Sequence, residues 1–185
     1  MKRIVSAVLI ASGAFLAACG GSGTAQPGSA PSKTVMLSGT EVISGSVAHP
    51  AATGSTVVPV RAAGAFATSG TVTLKRCSLL THQRCIDKPA VNFAGGSLYL
   101  NYHRSVSTQQ VDAAACAGSY RTTAPYTITG GSGVYAGATG HGVAVIKFTA
   151  VFPKLNGKCD DGGSASPIKG TARLQFLARG PVTVK

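Results

Sequence analysis

The chain has 185 residues, 17 of them Lys or Arg against five Asp or Glu, for a formal net charge of +12. So small a carboxylate inventory argues against paired-acid hydrolysis. With 24 Gly and nine Pro spread along the chain, no window of 11 to 18 residues holds an unbroken amphipathic helical pattern.

The N-terminus addresses location before fold. Lys2 and Arg3 form a positive start, and Ile4–Leu16 run almost without polarity. That run falls short of the roughly 20 apolar residues of a permanent span and reads as a secretory signal over residues 1–18. Leu16-Ala17-Ala18-Cys19-Gly20 resembles a bacterial lipobox. Small Ala17 and Ala18 suit a narrow peptidase subsite, and Cys19 supplies the thiol that takes a diacylglyceryl group. The resemblance implies a lipoprotein of the cell envelope, held on a membrane by acyl chains worth about 0.8 kcal/mol per buried CH₂. Residues 19–32 are small, uncharged and Gly/Ser-rich, as in a flexible tether. Residues 33–185 form the folded domain, a length of roughly 150 residues that can bury about 70% of the unfolded surface.

Along that domain, short β-branched runs alternate with Gly, Pro, Asn and Ser clusters, which predicts an all-β barrel or sandwich. Strands are expected at Thr34–Ser38, Glu41–Val47, Thr56–Arg61, Thr71–Arg76, Ser97–Arg104, Tyr120–Thr129, Gly142–Phe152 and Gly170–Leu177, with Val182–Lys185 as an added edge. Ser107–Ala117 is the one soft helical candidate. In Ser97–Arg104, Leu98, Leu100 and Tyr102 share one face, and Tyr99, Asn101 and His103 the other. If the second face lines a lumen, its three side chains form a polar patch able to orient a ligand or move a proton; if it points outward, they are solvent-facing residues.

Cys77, Cys85, Cys116 and Cys159 remain after Cys19, an even number suited to an oxidising compartment. Cys77–Cys85 and Cys116–Cys159 are the favoured pairings, giving two disulfides. A zinc site on Cys77, His82 and Cys85 lacks a fourth ligand at zinc spacing, so neither a metal nor a cofactor is expected.

The stretch Ile128–Ala144, "ITGGSGVYAGATGHGVA", holds six glycines. It contains a G-x-G-x-x-A match, but Gly137, Gly140 and Gly142 preclude the following helix that a dinucleotide site needs. A strand corner explains it better: glycines at φ > 0 allow Tyr135 to turn inward and plug the core. Gly130, Gly131, Gly133, Tyr135, Gly137 and Gly140 then compose a structural motif. "GGSGVYAGATGHG" resembles the hairpin of the allene oxide cyclase and dirigent-like barrels, with Ser132 where Thr is usual. That similarity covers roughly Tyr126 to Phe152. It implies an eight-stranded antiparallel barrel of calycin/dirigent-like type with an apolar lumen, often trimeric in the plant members. No catalytic residue transfers, and fold likeness alone does not carry activity.

Of the carboxylates Glu41, Asp87, Asp112, Asp160 and Asp161, the adjacent pair Asp160-Asp161 sits in a turn-like stretch. His49 and His141 read as loop residues. The basic residues are scattered, without the interleaved aromatics of a nucleic-acid surface. They suit either plain solubility or attraction to anionic headgroups and wall polymers. The expected function is a non-catalytic, membrane-anchored envelope protein binding an apolar small molecule or an envelope partner. The alternatives are a cyclase-like enzyme or auxiliary acting in the lumen, and a structural or adhesion module that uses its basic exterior.

Overall fold

Period-two alternation runs through nearly every strand of the computed structural model, which describes residues 36–50, 54–75, 90–160 and 166–185. The strands are β1 (Leu37–Ala48), β2 (Ser55–Ala63), β3 (Thr68–Lys75), β4 (Ala90–Phe93), β5 (Gly96–Tyr102), β6 (Val106–Asp112), β7 (Ala117–Gly131), β8 (Thr139–Val151) and β11 (Arg173–Val184), with the two-residue pair β9 (Lys154–Leu155) and β10 (Lys158–Cys159). All pairings are antiparallel. The order β5-β4-β3-β2-β1-β11-β8-β7 closes through β5–β7 into an eight-stranded barrel. β6 continues past β5 along the same edge of β7, pairing with Ala117–Thr123 while β5 takes Tyr126–Gly131.

Three expectations need correction. The strands expected at Thr34–Ser38 and Glu41–Val47 overlap one strand, β1, which runs from Leu37 (residues 34–35 lie outside the described ones), and those expected at Gly170–Leu177 and Val182–Lys185 overlap one strand, β11, over Arg173–Val184. Pro181 does not stop β11. It lacks an N–H, and the β11–β8 ladder skips from Arg179 to Val182 at that point, so no bond is missed. The helical candidate Ser107–Ala117 is mostly strand β6 followed by a turn. Pairing along the edge of β7 outweighs local propensity there, as tertiary context commonly does. Ser107 Oγ and Thr122 Oγ1 lie 2.9 Å apart across that pair.

The barrel is filled. Its inward residues form one continuous hydrophobic cluster, with Phe176, Leu98, Val58, Val72 and Val91 wholly enclosed. Eight strands make an interior just wide enough for side chains to fill, and each buried side chain of this size contributes about 1.5–3 kcal/mol. A smaller cluster of Tyr120, Ala150 and Phe152 lies at the far end of β7 and β8. Beside it, the Cys116–Cys159 disulfide joins the β6–β7 turn to β10, with Cα atoms 5.2 Å apart and 43 residues of separation. Cys77, His82 and Cys85 lie outside the described residues, as do Cys19 and the rest of residues 1–35.

Candidate functional site

The glycine-rich hairpin spends its amides on the protein itself. A 3₁₀ turn at Gly133–Tyr135 links β7 to β8. The N–H groups of Ser132 and Val134 bond Ser97 O and Gly95 O, while those of Tyr135, Ala136 and Ala138 close turns within the loop. A phosphate would find those donors occupied. Gly133 has φ 59°, and a Cβ there would collide with the carbonyl of Gly95, so only glycine lets the hairpin lie flat on the β4–β5 turn. Tyr135 is buried, its ring centroid 5.2 Å from Phe66 and 5.5 Å from Phe93. These three rings close one end of the core.

Tyr99, Asn101 and His103 face out. Tyr99 is 45% exposed, Asn101 and His103 are exposed, and Leu98 and Leu100 point in. The lumen reading of this patch is therefore corrected. Turning two leucines outward to admit three polar groups would reverse the burial that favours the strand's register.

The lumen instead holds Glu41, which is 3% exposed. It shares a row across five strands. Glu41 is opposite Gly180 on β11, Gly142 on β8 is opposite Tyr126 on β7, and Tyr126 is opposite Tyr102 on β5. The two glycines open a lane for the Tyr126 ring: a Cβ on Gly142 would sit 2.6 Å from the Tyr126 hydroxyl. Phe66 donates its N–H to Glu41 Oε2 at 3.1 Å, whereas Glu41 Oε1 and the Tyr102 hydroxyl lack a hydrogen-bond partner. Burial raises the Glu41 pKa, against the opposing pull of the Phe66, Ala65, Ala63 and Val42 amides. Burial, then the nearby Glu41 charge, push Tyr126 up to about 12. Sequence reading missed Glu41; its alternation with Ile43 and Val47 is the one signal that it turns inward.

Outside the barrel, the register gathers cations that are scattered along the chain. Arg121 on β7 lies directly opposite Lys147 on β8, and Lys147 opposite Gln175 on β11. One row along, Arg173 is opposite Thr149, which is opposite Ser119. Arg179 and Arg61 extend the same outer face toward β1 and β2. All five cations are exposed, and the residues between them are chiefly Ser, Thr, Val and Gln. Of the three described side-chain carboxylates, Glu41 is inside the barrel, Asp160 follows β10 with its N–H on Pro153 O, and Asp112 stands at one corner of the face, accepting the Ala114 and Ala115 N–H groups. Compared with known proteins, the chain matches no family model, no curated protein and no solved structure.

Proposed function

We propose that this protein is a membrane-tethered, non-catalytic envelope lipoprotein whose barrel presents a basic sheet face to an anionic polymer of the cell envelope. The observation that carries this reading is Arg121 held directly opposite Lys147 with Arg173 one row away. Like charges across a strand pair lower stability, and a bound polyanion offsets that repulsion. The filled interior supports an exterior role over an apolar ligand in the lumen. Basic residues near an anionic surface contribute about 1 kcal/mol each, and such binding weakens as salt screens it.

Co-sedimentation of the full-length chain with an acidic polysaccharide tests the reading. Binding at low salt should fall steeply near 0.5 M NaCl and drop at least about tenfold in Arg121→Gln/Lys147→Gln, which removes two contacts of this strength. Salt-independent binding, or none at low salt, rejects it. The tether belongs to the same proposal. Cys19→Ser should move the protein from the membrane to the soluble fraction, and continued membrane retention counts against lipidation. Cys77 and Cys85 complete the proposal as a second bridge of a dirigent-like barrel. Alkylation of the unfolded, unreduced chain should label neither.

One observation favours a second reading, chemistry in the lumen: a buried carboxyl of raised pKa in one row with two buried phenols, the kind of inventory that moves protons. That reading requires the packed core to admit a substrate. Small apolar probes should then shift the Tyr102 and Tyr126 ring resonances, and unchanged rings dismiss it.

A further inference from the structure

The basic face is not flat. At its end farthest from the hairpin, Gln110, Asp112, Ser119, Thr149, Thr171 and Arg173 line a groove of about 580 Å³, within the 300–1,000 Å³ range of small-ligand sites, and open to solvent. Its floor is mostly apolar: Val111, Ala117, Ala150 and Val151 line it beside the Gly118 backbone. One row of the groove runs Gln110–Ser119–Thr149–Arg173 across β6, β7, β8 and β11. At about 4.8 Å per strand that row spans roughly 14 Å. The second row has Asp112 at one side, opposite Ala117, which is in turn opposite Val151. Thr171 closes the other side; its Oγ1 accepts the Val151 N–H at 3.0 Å. The groove thus has a cation at one wall, a carboxylate at the other, and an apolar floor with neutral hydroxyl and amide groups between them.

That arrangement selects among anions. A chain of phosphates would meet Asp112 as a like charge. A sugar acid carries like charge too, but it also brings ring hydroxyls that donate to the Asp112 carboxylate and to the Gln110 carbonyl, while its carboxylate takes the Arg173 guanidinium, a charge-assisted pair. Ala117 and Val151 offer apolar surface to the C–H face of a pyranose.

We infer that this groove binds a short uronic-acid segment of the envelope polymer, with Arg173 holding a sugar carboxylate and Asp112 a sugar hydroxyl; this rests on the reading of the basic face given above. Calorimetric titration of the full-length chain in non-ionic detergent, with tetragalacturonate, linear tetraphosphate and maltotetraose, tests it. Tetragalacturonate should bind most tightly. Arg173→Gln should weaken it about tenfold or more, as loss of a charged hydrogen bond does. Ser119→Tyr, which fills the groove and leaves Arg121 and Lys147 in place, should bring tetragalacturonate down to the level of tetraphosphate. Asp112→Asn, which still accepts the turn amides, should strengthen tetraphosphate binding. Equal binding of the two anions, unchanged in Ser119→Tyr, overturns the groove assignment and leaves the basic-face reading standing. Binding of neither anion at low salt overturns both.

Discussion

Glu41 carries a charge where the barrel offers it little water. Its partly satisfied carboxyl has a raised pKa, so the folded state binds that proton more tightly than the unfolded chain. The resulting stability is fully present below the ordinary value of 4.5 and is lost as pH rises through the raised one. Glu41→Gln should therefore gain stability relative to the parent as pH is raised from 4 to 7, read as the difference in melting temperature at each pH. A constant difference refutes the burial account. Gly142 makes the complementary case. Gly142→Ala must push against the Tyr126 ring and the Arg179 carbonyl, and denaturant unfolding should register a loss of about 1–3 kcal/mol, typical of overpacking. The inward turn of Glu41 was missed in the sequence, although its alternation with Ile43 and Val47 carried the signal. Its partners were not, because the Gly180–Gly142–Tyr126 lane exists only once four further strands have fixed their registers.

Strands with clear alternation, such as Gly96–Tyr102 and the start of β11, were legible because the leucine and phenylalanine face had one place to go. β6 was not. Its seven residues are all exposed, so no apolar face marks its period, and only the waiting edge of β7 decides its state. β4 is four residues long, too short for a pattern. The disulfide beside β6 acts at this scale. Closing a 43-residue interval stabilises by about 2–4 kcal/mol through the unfolded chain. Cys116→Ser/Cys159→Ser should lose that amount in chemical unfolding. Hydrogen exchange should quicken at residues 113–117 and 154–159, while the β1–β11 ladder keeps its protection.

Across the whole molecule, charge is where sequence reading fell shortest. Arg121, Lys147 and Arg173 are far apart in the chain, and spacing alone leaves them scattered; sheet register brings them side by side. The same substitution that weakens polymer binding, Arg121→Gln/Lys147→Gln, should raise stability by about 0.2–1 kcal/mol as cross-strand repulsion disappears. Denaturant midpoints at low and high salt check this, since the gain should shrink with screening. A final consequence comes from β1 and β11, the first and last long strands, paired residue for residue from Leu37–Val184 to Ala48–Arg173. As the chain emerges from its N-terminus, β1 can gain β2 but keeps its other edge bare until Arg173–Val184 arrives. Ring closure therefore waits for β11, and a chain cut short of Arg173 carries an unpaired edge that invites aggregation.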